Sequence, residues 1–114
     1  MGRVTVTETN LEFTKPLQER YSTNYLVIHH VGGTNRDVSA SEIHEWHLAN
    51  GWAGIGYHYV IRQDGTIERG RWRGYTGSHA YGLNSASIGI NVVGDLQNNE
   101  PTVEQLDSLN NLLS

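Results

Sequence analysis

Residues 24–33 read Asn-Tyr-Leu-Val-Ile-His-His-Val-Gly-Gly, and the fold turns on how that stretch is read. Tyr25, Leu26, Val27 and Ile28 form an unbroken apolar run rich in β-branched and aromatic side chains. Such a run predicts a strand buried on both faces, an inner strand of a sheet covered by helices. It stops at His29 and His30, and Gly32 with Gly33 then lets the backbone turn sharply. Two readings of the histidines are open at this point. Either a rigid strand end presents an imidazole to a metal or a proton, or the pair simply caps the strand, one hydrogen-bonded and one solvated.

Working outward, residues 3–7 alternate as a short edge strand would, and residues 10–20 show no sustained period. The first 22 residues or so therefore read as an arm leading into the domain. Downstream, Ser39 and Glu42 have the spacing of a capping box, which predicts a helix over 39–50 with Gly51 after its end. Ala40, Ile43, Trp46 and His47 fall on one face of that helix. His44 and His47 stand three apart there, without the His-Glu-x-x-His spacing of a metalloprotease helix, so His47 reads as a packed histidine near Trp46.

Residues 57–63 alternate and are aromatic, and Asp64 with Gly65 separates them from residues 66–69, a strong hairpin signal. Residues 69–82 are rich in Gly, Arg, Trp and Tyr, the composition of a binding loop rather than a spacer. Residues 88–93 form a second apolar strand. Thr102 and Gln105 make a second capping box, followed by Val103, Leu106, Leu109 and Leu113 at helical spacing. The fold class expected is α/β, a central mixed β-sheet flanked by helices in a single domain over 1–114. The helical pattern runs to Ser114 with no glycine stop, so a domain truncated after its last helix is expected, with an apolar face around 109–113 open to self-association.

Composition narrows the function classes. The 114 residues carry a net charge of −4 and no basic stripe, which argues against nucleic acid as a partner. No cysteine occurs, which excludes a disulfide framework, a thiolate zinc cluster or a cysteine nucleophile within these residues. No apolar run approaches a membrane span, and the first residues lack the apolar core of a signal peptide. Cytoplasmic synthesis is expected, with release by another route.

With these pieces placed, the sequence resembles the zinc-dependent N-acetylmuramoyl-L-alanine amidases of the phage-lysozyme type, which share a fold with the peptidoglycan recognition proteins. The resemblance rests on Val27 to His30, on Glu45, Trp46 and His47, and on Gly51 and Trp52 leading into Gly54, Ile55, Gly56, Tyr57, His58 and Tyr59. It continues through Asp64, Gly65 and Thr66, Gly77 to Ala80, Gly82 to Asn84, and Ser87 to Asn91. Many family members carry Asp where this sequence has Gly54.

The resemblance implies a peptidoglycan hydrolase that cuts the amide between N-acetylmuramic acid and the L-alanine of the stem peptide. It implies Zn2+ as cofactor, His29 as a zinc ligand, and the remaining ligands beyond residue 114. It implies Tyr57 as the catalytic tyrosine facing the reacting group, and His79, Tyr81 and Asn84 as substrate contacts. Trp72, in the aromatic loop, is expected to stack on a sugar face. His30 and His58 are expected to support the fold. The alternatives are a recognition module that binds bacterial peptidoglycan without cutting it, and an inactive fragment lacking the remaining zinc ligands. Whether the role is that of an endolysin or an autolysin is open; the lack of a leader favours the former.

Overall fold

The computed structural model describes residues 4–113. They form one five-stranded mixed sheet: β1 (Val6–Thr7), β2 (Tyr25–His30), β3 (Tyr59–Ile61), β4 (Ile67–Arg69) and β5 (Ser87–Val92), with helices α1 (Ala40–Ala49) and α2 (Val103–Leu113). The spatial order is β1-β4-β3-β5-β2. Only β3 and β4 are antiparallel; the other neighbours run parallel. Residue 3, expected in the first strand, lies outside the described residues. None of the described helices is long and apolar enough to cross a membrane.

Side-chain alternation divides the core in two. On one face Val60 and Val93 meet Ala40 and Ile43 of α1, with Val38 and Ile55, and Phe13 of the N-terminal arm packs against them. On the other, Tyr59, Ile61, Ile67, Ile90 and Val92 meet Leu112 of α2. A strand residue and its neighbour point to opposite faces, so β3 feeds both cores with three residues.

Both capping boxes form. The Ser39 hydroxyl accepts from the Glu42 N–H, and the Glu42 carboxylate accepts from the Ser39 N–H. At α2 the Gln105 N–H donates to the Thr102 hydroxyl at 3.0 Å, and the Thr102 N–H donates to Gln105 Oε1 at 3.0 Å. Gln105 does more than cap. Its buried Nε2 donates to the carbonyls of Ile61 and Val93, at 3.2 and 2.8 Å, which fastens the start of α2 to the ends of β3 and β5. At the hairpin, Gly65 adopts φ +91°, which a side-chain-bearing residue rarely does, and the Thr66 N–H donates to Asp64 Oδ1.

Three expectations are corrected. The strand at 25–28 forms, but it is an edge strand: Tyr25, Leu26 and Ile28 are 51%, 49% and 49% exposed, because among the described residues β2 pairs with β5 alone. An apolar run marks strand propensity, whereas burial depends on which neighbours arrive. On α1 the inner face carries Ala40, Ile43 and His44, and Trp46 is exposed. On α2 Leu112 is buried and Leu109 packs on the sheet, so the apolar side chains left outside are Val103, Leu106 and Leu113.

Candidate active site

The α1 face of the sheet carries a cluster of aromatic and imidazole rings over β2 and β5. His29 leaves β2 there, and Tyr57 precedes β3. His79 enters from the long loop between β4 and β5. Ring centroids of His29 and Tyr57 lie 5.2 Å apart, those of His29 and His79 5.1 Å, and those of Tyr57 and His79 6.4 Å. Three residues separated by up to 50 positions thus meet in one place.

Small residues make room for His79. A Cβ on Gly89 would stand 2.6 Å from its ring, one on Gly77 would also stand 2.6 Å from it, and one on Gly56 would strike the Ser78 carbonyl at 2.0 Å. Asn84 fixes the backbone above: its Oδ1 accepts the N–H groups of His79 and Ala80 at 2.9 and 2.8 Å. The ring itself lies between two polar groups, His29 Nε2 at 3.0 Å from Nδ1 and Ser87 Oγ at 3.2 Å from Nε2.

The other histidines are tied to the backbone. His44 Nδ1 accepts from Ile55 N–H, and its Nε2 donates to the Glu12 carbonyl. His58 does the same between Gly89 N–H and the Tyr75 carbonyl. His47 Nδ1 accepts from Gly56 N–H and His30 Nδ1 from Leu96 N–H. His47 packs edge-on against Trp52, at 4.5 Å between centroids, rather than sitting beside Trp46. Neighbours one apart on a helix diverge. A Cβ on Gly54 would lie 2.3 Å from the His44 ring, so the absence of a side chain there and the buried histidine go together.

Burial dominates the electrostatics. It lowers the pKa of His47, His58 and His79 to about 4 in each case, and nearby positive charge adds to the shift. His29 moves the same way, by burial first and then by the charge of His30. Burial raises the Tyr57 phenol, which therefore keeps its proton at neutral pH. Asn91, opposite His29 in the β2–β5 register, offsets part of that rise. Its carboxamide influences the phenol from outside hydrogen-bond geometry, and neither Oδ1 nor Nδ2 has a partner among the described residues.

In front of the cluster lies a groove of about 380 Å³ lined by Trp52, Tyr57, Ser78, His79, Tyr81 and Asn84. Tyr81 is fully exposed on its rim. Trp72 is not part of it. That indole stacks edge-on against Tyr75 at 5.9 Å and is itself largely exposed. Trp52 takes a position in the wall instead, from the Gly51-Trp52 pair already visible in the sequence. Ser87 and Asn91 stand in the matched stretch 87–91, but no role is legible in them from the sequence alone, since a polar residue on a strand points to whichever face the register chooses.

Among the described residues no three His, Cys, Asp or Glu side chains cluster closely enough to hold a metal ion. His29 Nδ1 has no hydrogen-bond partner among the described residues, and the ring is held through Nε2.

Comparison with known proteins places these features in a family. Residues 19–114 match the family model described as N-acetylmuramoyl-L-alanine amidase. The endolysin of Enterobacteria phage K11 is 39% identical over 109 residues, covering 90% of this chain and 70% of that protein. The endolysin of Escherichia phage T7 is 37% identical over 102 residues, covering 84% of this chain and 68% of that protein. Among solved structures, the amidase LysCS of Clostridium intestinale superposes with a TM-score of 0.90 at 38% identity, covering 96% of this chain and 70% of that one. Drosophila PGRP-SD shares the fold, with a TM-score of 0.88 at 22% identity.

Proposed function

This chain belongs to the N-acetylmuramoyl-L-alanine amidase family, and from that premise we propose that it cleaves the amide between N-acetylmuramic acid and L-alanine in bacterial peptidoglycan, with Zn2+ as cofactor. The observation that carries the proposal is the convergence of His29, Tyr57 and His79 beside one open groove. His29 would hold the metal through Nδ1. Zinc sites of this kind use three protein ligands, of which His29 would be one; no three such side chains cluster among the described residues. When bound, zinc supplies Lewis-acid polarisation of the scissile carbonyl and a water acidified to a pKa of about 7.

The remaining steps belong to the protein. Tyr57 keeps its phenolic proton and can donate it in a hydrogen bond to the oxygen that gains charge as the amide carbonyl becomes tetrahedral. Trp52 and Tyr81 offer ring faces along the groove for a saccharide or peptide, and Asn84 holds the groove wall in shape through the His79 and Ala80 N–H groups. The phage relatives bear the name endolysin, and we assign this chain the same place of action, the bacterial cell wall.

Release of free stem peptides from purified peptidoglycan, with Zn2+ and with a chelator, tests the proposal. Zinc-dependent release is expected from a chain that carries all three ligands. Binding without release under both conditions would favour the other reading, a recognition module.

A further inference from the structure

The hydrogen-bond directions around His79 are determined by one group that has no choice. The Leu83 carbonyl can only accept, and Ser87 Oγ lies 2.7 Å from it. The single hydroxyl proton of Ser87 is therefore committed to Leu83. Ser87 is wholly buried, so no solvent competes for it.

Consequences follow atom by atom. Ser87 Oγ has only lone pairs left to offer, so the contact with His79 Nε2 at 3.2 Å requires the proton on that nitrogen. The neutral His79 ring then carries a lone pair on Nδ1. His29 Nε2 lies 3.0 Å away and must be the donor. A neutral imidazole protonated at Nε2 is unprotonated at Nδ1. We propose that Ser87 and His79 act as positioning residues, a proton-ordered chain that sets His29 as its Nε2–H tautomer and leaves His29 Nδ1 as an open lone pair facing away from the protein's own hydrogen bonds.

The arrangement singles out one histidine. Of the six in the sequence, His30, His44, His47 and His58 accept a backbone N–H at Nδ1, and His79 accepts from His29. Only His29 keeps Nδ1 unused among the described residues. Partners behind a metal-binding imidazole fix its tautomer and ring orientation. The chain Leu83, Ser87, His79, His29 has that form, with a backbone carbonyl as its anchor. Its use in metal binding rests on the zinc assignment above, whereas the proton order does not. His79 thereby takes a second task besides lining the groove.

The test is nitrogen-15 NMR of the imidazole rings in the metal-free chain at constant neutral pH. His29 and His79 are both expected to be protonated at Nε2 and pyridine-like at Nδ1, with a nitrogen–nitrogen coupling across the bond from His29 Nε2 to His79 Nδ1. In Ser87→Ala the His79 Nε2 proton loses its acceptor, and both rings are expected to acquire a measurable Nδ1-protonated population. In His79→Phe, which keeps an aromatic ring in the gap, His29 is expected to relax to the tautomer mixture of a free imidazole. A wild-type His29 carrying its proton on Nδ1 overturns the proposal. So does a His29 tautomer unchanged in both variants when their amide spectra show them folded. Adding Zn2+ separates the two assignments. An Nε2-protonated His29 whose Nδ1 ignores the metal supports the proton order and counts against the zinc site. Where zinc does bind, Ser87→Ala is expected to weaken it about tenfold or more.

Discussion

At the scale of single residues, the site is a matter of which atoms are committed elsewhere. Burial raises the Tyr57 phenol and keeps it protonated, with the Asn91 carboxamide offsetting part of that rise. Replacing Tyr57 with Phe removes a donor proposed to act on the developing oxyanion and little else. Turnover is expected to fall on the order of 10²–10³-fold, the range for losing one oxyanion donor, with muropeptide affinity nearly unchanged. Steady-state kinetics alongside calorimetric binding distinguish that result from a loss of binding. Gly89 is the complementary case, needed for its missing atoms. Gly89→Ala would press a methyl group to 2.6 Å from the His79 ring, against a side chain held from both ends. A loss of about 1–3 kcal/mol is expected from such overpacking, together with displaced His79 ring resonances, measured by urea unfolding and NMR.

At the scale of elements, α2 is joined to the sheet by a glutamine rather than by leucines alone. Gln105→Leu keeps the volume and helix propensity but leaves the Ile61 and Val93 carbonyls without their side-chain donor and removes half of the capping box. A destabilisation of about 1–3 kcal/mol is expected from the unpaired polar groups. An unchanged urea midpoint would show that water replaces the amide. The elements themselves were legible in the sequence: both capping boxes, the Asp64-Gly65 hairpin and the two long strands lie close to where their residues put them. The sidedness was not. The residues of β2 have the composition of an interior strand, yet they stand at an edge, because burial is a property of neighbours and not of the run. The same limit hid the facing of Ser87 and Asn91, which is set by cross-strand register. His29, Tyr57 and His79 were legible only through their resemblance to a family. Trp72, an aromatic in a glycine-rich loop, stands outside the groove that Trp52 and Tyr81 line.

For the whole molecule, the buried imidazoles make acid the natural denaturant. His47 and His58 are both lowered to about 4 by burial, from the ordinary value of about 6.5 that an unfolded chain would show. Below pH 6.5 the unfolded state therefore binds protons that the folded state refuses. Stability from these groups is fully present above about pH 6.5 and declines as pH falls toward 4. Urea midpoints measured from pH 8 to pH 4 are expected to drop through that window, and His58→Gln, which preserves a donor and an acceptor, is expected to flatten the drop. A profile that stays level in the wild type would show that the rings take up protons in place.

The strand order also sets a timetable. Only β3 and β4 pair locally; β1 waits for residue 67 and β2 for residue 87 before either has a partner. A hairpin closes in about 1–10 μs, whereas pairings across sixty residues must first overcome the entropy of a long loop. On a growing polypeptide the sheet can begin only in the middle, and β2, although made early, must be stored without a neighbour. His79 is anchored to Ser87, the first residue of β5, so the candidate site cannot be complete until that late strand has been made and paired with β2.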